Sequence, residues 1–122
     1  MLPNTIQVVA IPEQCYRCGG VTRGIVGVLA PRSTGTVFRE FDDVAEALAN
    51  VLDPEVLRVG GIGPIKLRRS RTRGRYMSNG CVHCDAILGS FPLWERLNEV
   101  LSEGFQLHDF ALSVRVGDPA RQ

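Results

Sequence analysis

Four cysteines stand in two pairs of identical spacing, and no other residue types in the chain indicate a chemistry as strongly. Cys15 and Cys18 form one CxxC pair, and Cys81 and Cys84 form the other. A CxxC turn lets two thiolates converge on one ion, and zinc prefers a tetrahedral shell of thiolates at ~2.3 Å. We therefore expect the four cysteines to share one structural zinc ion, Zn2+.

The same cysteines allow three other interpretations. A thioredoxin-like redox pair stands at the start of a helix that follows a strand, and neither pair has that context. Four thiolates can also hold an iron–sulfur cluster, and in a secreted protein they would form disulfides. His83, inside the second pair, is a fifth candidate ligand, but four thiolates already complete a tetrahedral shell.

The segment between the pairs, residues 19–80, is far longer than the ~15–20 residues of a compact zinc ribbon. It contains a helical pattern and several strand patterns, so we expect a folded insertion that returns to the metal. The entropic cost of so long a loop is modest because it grows logarithmically with length. The predicted organisation is one zinc-binding domain, residues 1–122, with metal-binding knuckles at 15–18 and 81–84.

Hydrophobic patterns around the knuckles predict an α+β fold, a small mixed sheet with two helices around a split zinc ribbon. One helix begins with Asp43 as its capping residue and ends before Pro54. The other begins at Pro92 and ends at Gly104. The predicted strands are residues 6–11, 21–30, 36–41, 65–68, 75–77, 86–88 and 110–116.

The hairpin predicted after the first helix is strongly basic. Arginines at alternate positions can follow a phosphate backbone, and a nearby tyrosine can stack on a base. The alternative is a solvated strand edge whose charge prevents aggregation. The candidate nucleic-acid-binding residues are Lys66, Arg68, Arg69, Arg71, Arg73, Arg75 and Tyr76.

Composition narrows the remaining function classes. A net charge of +1, with 44% hydrophobic and 22% charged residues, is ordinary for a globular protein and gives no global attraction to nucleic acid or membranes. The first residues lack the features of a signal peptide, and no apolar run reaches ~18 residues, so we expect a cytoplasmic protein without a membrane partner. No HExxH, Walker or serine-elbow motif occurs, so we expect no enzyme activity.

Two segments resemble a split zinc ribbon found in uncharacterised bacterial proteins. These segments are Cys15-Tyr16-Arg17-Cys18-Gly19 and residues 76–91. They are similar to the patterns CYxCG and NxCPHCxAxxGxF, except that Val82 replaces the proline and Asp85 stands where glycine is frequent. The resemblance implies zinc binding and implies no enzyme activity.

These observations predict a non-enzymatic protein whose structural zinc organises a protein-interaction domain. Its predicted partner is another protein, of unidentified kind. The alternative is a nucleic-acid-binding accessory protein that uses the basic hairpin, residues 66–75.

Overall fold

The computed structural model describes residues 5–116, and it confirms the α+β class. The other residues of the predicted domain, 1–4 and 117–122, lie outside the described part. In chain order the elements are strands β1 (Thr5–Gln14), β2 (Val21–Arg32) and β3 (Gly35–Glu40), helices α1 (Phe41–Val51) and α2 (Pro54–Val59), strands β4 (Lys66–Ser70), β5 (Gly74–Gly80) and β6 (Ile87–Leu88), helix α3 (Ser90–Ser102), a 3-10 helix (Leu107–Phe110) and strand β7 (Ala111–Arg115).

The seven strands form two antiparallel sheets rather than the single mixed sheet that we expected. The larger sheet has the order β3-β2-β1-β7, and the smaller has the order β4-β5-β6. Strands that follow one another in the chain pair as hairpins, which gives antiparallel neighbours. Each sheet therefore carries one knuckle, the first between β1 and β2 and the second between β5 and β6.

Strand β1 lies at the centre of the fold and is buried on both faces. Val8 and Ala10 belong to a core cluster with buried residues of α1 and α2. Val9 and Ile11 belong to a second cluster with buried residues of α3. The larger sheet is thus covered by helices on both sides, which explains why β1 reads as a continuous apolar run.

Most boundaries differ from those predicted by one or more residues, and three of them have a clear physical reason. Strand β1 continues beyond Pro12 to Gln14, because an exposed proline is tolerated where it need not donate a ladder hydrogen bond. Helix α1 begins at Phe41 with Glu40 as its N-cap and no side-chain cap, so Asp43 lies in the first turn rather than capping it. Helix α3 begins at Ser90, two residues before the predicted start.

Helix α2 was not predicted, although its start carries a recognisable signal. The side chain of Asp53 accepts a hydrogen bond from the amide of Glu55 at 2.9 Å, and Pro54 occupies the first turn. We interpreted this proline only as the end of the preceding helix. Within residues 5–116, no helix is both long enough and apolar enough to cross a membrane.

Candidate metal centre

The first knuckle is a tight turn at the end of the β1–β2 hairpin. The amide of Cys15 donates to the carbonyl of Gly20, and the amide of Gly19 donates back to the carbonyl of Cys15, both at 2.9 Å. Gly19 has a φ of +77°, which glycine adopts without steric cost. The turn directs the amides of Arg17 and Cys18 at the sulfur of Cys15, at 3.4 and 3.5 Å.

The second knuckle repeats this pattern between β5 and β6. The amide of Cys81 donates to the carbonyl of Ala86 at 2.8 Å, and the amide of Asp85 donates to the carbonyl of Cys81 at 2.9 Å. The amide of His83 lies 3.4 Å from the sulfur of Cys81. Asp85 takes the left-handed position, with a φ of +66°. The two knuckles are therefore equivalent turns that present their thiols in the same way.

The four predicted thiols come together between the knuckles. Sγ of Cys15 lies 3.6 Å from Sγ of Cys84, and Sγ of Cys18 lies 3.7 Å from Sγ of Cys81. All four sulfurs lie within 4.8 Å of one another. Thiolates bound at ~2.3 Å to one tetrahedral ion would lie ~3.8 Å apart. The arrangement fits one shared metal ion, whereas a multi-iron cluster would distribute the thiolates over several ions and separate them further.

The site is anchored in the interior and open at one side. Cys15 and Cys81 are buried, with 2% and 1% of their surface exposed. They form a small cluster with Ala86, against which Cys84 packs. Cys18 is exposed. A bound ion would therefore be held by two interior thiols and enclosed by two thiols nearer the solvent.

The thiols influence one another's ionisation. Burial opposes ionisation of Cys15, but the amides of Cys18 and Arg17 and the neighbouring thiols outweigh it and lower the pKa of Cys15 to about 6. The amide of Ala86 favours the thiolate of Cys84, but burial and the three other thiols raise the pKa of Cys84 to about 11. The cluster thus favours the thiolate of Cys15 and opposes that of Cys84, and a bound cation would favour the thiolate of Cys84.

His83 lies beside the cysteines but is engaged elsewhere. Its Nε2 atom lies 2.8 Å from the carbonyl oxygen of Val21, to which it can donate a hydrogen bond. Its ring packs over Gly20, where an added Cβ would lie 2.8 Å from the imidazole. The described metal-binding group consists of the four cysteines. His83 thus joins the second knuckle to the strand that leaves the first.

Two buried polar side chains that we did not single out from the sequence hold the two sheets together. Oγ1 of Thr22 accepts a hydrogen bond from the amide of Val82 at 2.9 Å. Oδ1 of Asn79 accepts from the amide of Ile25 at 2.9 Å, and its Nδ2 donates to the carbonyl of Ile25 at 2.8 Å. Asn79 lies near the end of β5, just before the second knuckle, so this side-chain amide fixes that knuckle against β2.

The base of the hairpin supports the second knuckle. We predicted that Arg68 belongs to an exposed basic surface, but the structure buries it, with only 8% of its surface exposed. Its guanidinium donates to Asp85 at 2.6 Å and to the carbonyl of Ser78 at 2.7 Å. Nζ of Lys66 lies 2.6 Å from the same carboxylate. The two cations lower the pKa of Asp85 despite its partial burial.

The remaining hairpin residues divide into engaged and free groups. The guanidinium of Arg73 lies 3.8 Å from the centre of the Tyr76 ring and 3.5 Å from the carboxylate of Asp42. Three arginines are exposed and form no ion pair with any residue in the range 5–116, namely Arg69, Arg71 and Arg75. The structure therefore leaves three of the seven predicted nucleic-acid contacts accessible and unengaged.

Comparisons with known proteins identify no relative of this chain. No family model matches the chain, and no curated protein or solved structure gives a significant match. The resemblance to split zinc ribbons therefore stays a prediction from two short segments. The clustering of the four cysteines is observed in the structure itself.

Proposed function

We propose that Cys15, Cys18, Cys81 and Cys84 bind one structural zinc ion, and that this zinc organises a non-enzymatic protein-interaction domain. The observation that carries the proposal is the sulfur geometry, because the 3.6 and 3.7 Å separations match the edges of a tetrahedral thiolate shell. The backbone amides directed at the sulfurs would offset the negative charge of the shell.

The donor set favours a structural ion. Four cysteines complete the tetrahedral coordination of zinc, whereas a catalytic zinc keeps one position open for water or substrate. Zinc bound here would join the knuckle of the larger sheet to the knuckle of the smaller sheet. Its binding free energy would therefore contribute to folding. This arrangement suits a reducing compartment in which the thiols stay available to the metal, so we propose a cytoplasmic location.

Nucleic-acid binding is the second candidate function, and one feature of the hairpin favours it. Arg69 and Arg75 lie directly opposite each other on β4 and β5, and both are exposed. Like charges directly opposite on neighbouring strands destabilise a sheet. An anionic partner would relieve this repulsion, and Arg71 at the turn could add a third phosphate contact.

Native mass spectrometry tests the proposed metal function. Protein purified without added metal and then titrated with zinc should reach one zinc per chain. A strong chelator should remove the ion and lower the melting temperature, because the metal joins both sheets. A metal-free protein with unchanged melting, or a chain that binds two ions, would contradict the proposal.

A further inference from the structure

A cleft of about 510 Å3 lies where the tip of the β4–β5 hairpin faces the first turns of α1 and α3. Its lining includes two aromatic side chains that belong to neither of the two core clusters. Phe91 and Trp94, both in α3, are 71% and 41% exposed. Exposed aromatic residues around a concave surface are typical of a binding site, because side chains that stabilise the fold are normally buried.

The cleft already accommodates one cation, which belongs to the chain itself. The guanidinium of Arg73 lies 3.8 Å from the centre of the Tyr76 ring, in cation–π geometry. It also lies 3.5 Å from the carboxylate of Asp42, which accepts a hydrogen bond from Ser90 at 2.9 Å. The walls of the cleft therefore have the chemistry that holds a guanidinium group.

The charges of the lining favour a second cation. Glu40 and Asp42 both line the cleft, and Arg73 is the single cationic side chain among its lining residues. Asp42 is engaged by Arg73, whereas Glu40 is exposed and caps no amide of α1 with its side chain. A cationic side chain entering the cleft would meet the carboxylate of Glu40, which forms no ion pair within residues 5–116, and the aromatic side chains of Phe91 and Trp94.

We propose that this cleft binds an extended basic peptide segment of a partner protein by inserting an arginine side chain between α3 and the hairpin. The inference rests on the proposed protein-interaction function and names its surface and the chemistry of its partner. Nucleic acid fits this cleft less well, because a phosphate backbone would approach two carboxylates. Arg73 already holds Tyr76 and Asp42 in this cleft, and its positive charge opposes the entry of a second cation.

Trp94 is the only tryptophan of the chain, so its fluorescence reports on the cleft directly. The probe is a nine-residue peptide of glycine, serine and three arginines, titrated into the zinc-loaded protein. The matched probe carries citrulline, a neutral isostere, at each arginine position. We expect a saturable change in Trp94 fluorescence with the arginine peptide and at least fivefold weaker binding of the citrulline peptide.

Three variants separate the proposal from nonspecific attraction. Glu40→Gln should weaken binding of the arginine peptide at least threefold, whereas Glu46→Gln, at an exposed position of α1, should leave it within twofold of wild type. Arg73→Ala should strengthen binding at least threefold, because it removes a like charge from the cleft and releases Tyr76 and Asp42 for the incoming arginine. A binding surface that used Arg73 for an anionic partner would show the opposite change.

Several results would overturn the proposal. These are equal binding of the arginine and citrulline peptides, no saturable fluorescence change, weaker peptide binding by Arg73→Ala, or tighter binding of a ten-nucleotide oligothymidylate at this tryptophan. Zinc content is measured in every sample. One zinc per chain without peptide binding would refute the cleft proposal alone, whereas absence of zinc would refute the proposed metal function.

Discussion

The carboxylate of Asp85 holds the guanidinium of Arg68 beneath the second knuckle, with Oδ1 and Nη2 2.6 Å apart. Arg68 exposes only 7% of its side chain, and it also donates to the carbonyl of Pro64 at 2.9 Å. Asp85 occupies the left-handed position that Gly19 occupies in the first knuckle. The departure from glycine at this position thus provides a charge partner for a buried arginine.

We predict that Asp85→Ala lowers the free energy of unfolding of the zinc-loaded protein by about 1–3 kcal/mol. The buried guanidinium of Arg68 loses its charge partner but keeps three carbonyl acceptors, at Pro64, Ser78 and the backbone of residue 85, so the loss is smaller than for a fully stranded charge. Asp85→Gly should be milder by roughly 1 kcal/mol, because glycine accepts a positive φ. Urea denaturation measures both.

The control for this series is Glu55→Ala, which breaks the exposed ion pair with Arg58. It should leave the urea midpoint close to that of wild type, because solvent screens an exposed ion pair. Equal effects of Asp85→Ala and Glu55→Ala would show that the contact between Asp85 and Arg68 does not stabilise the fold.

The paired hydrogen bonds between Asn79 and Ile25 predict a strong effect of a small chemical change. Asn79→Asp replaces the donor Nδ2 by a carboxylate oxygen that faces the carbonyl of Ile25, in a site where Asn79 is 2% exposed. We expect a loss of about 2–4 kcal/mol in the free energy of unfolding. Asn98→Asp, at an exposed position of α3, should stay within ~0.5 kcal/mol of wild type.

The proposed ligand set predicts different outcomes for His83 and the cysteines. His83→Ala should retain one zinc and cost about 0.5–1.5 kcal/mol, because it removes the hydrogen bond to Val21. Cys15→Ser and Cys81→Ser should weaken zinc binding strongly and to a similar extent, since both open the same shell. Competition with a chromogenic chelator measures these affinities, and loss of zinc from His83→Ala alone would contradict the assignment.

The second candidate function predicts a salt-dependent affinity. Phosphate contacts by Arg69, Arg71 and Arg75 would give a slope of log affinity against log salt of about −2.7 on duplex DNA and about −2.1 on single strands. Arg75→Glu should abolish this binding. It should also raise the free energy of unfolding by about 0.2–1 kcal/mol, because it places opposite charges across from each other.

Fluorescence anisotropy with a labelled oligonucleotide at two salt concentrations measures the slope. The matched control is Arg32→Glu, at an exposed position near the end of β2. Equal losses from Arg75→Glu and Arg32→Glu would indicate general charge attraction rather than recognition by the hairpin.

The cysteine cluster and the fold class could be predicted from the sequence because both depend on local patterns. CxxC spacing brings two sulfurs together within one turn, and alternating apolar residues indicate strands. Helix α2 carried a local signal as well, in the capping Asp53 and the following Pro54, which we did not use.

The other features depend on tertiary contacts that no local pattern encodes. Arg68 belongs to a basic run that resembles a solvated surface, and only the return of the chain to Asp85 buries it. Asn79 contacts Ile25 across a separation of 54 residues. The division of the strands into two sheets likewise follows from packing rather than from the pattern of any single strand.

X-ray absorption at the zinc edge of the purified protein tests the central claim most directly. A single zinc held by Cys15, Cys18, Cys81 and Cys84 predicts four sulfur neighbours at ~2.3 Å and no nitrogen neighbour. The same sample should contain one zinc per chain by elemental analysis. A shell with a nitrogen neighbour, fewer than four sulfurs, or a chain that stays folded without a metal would contradict the account.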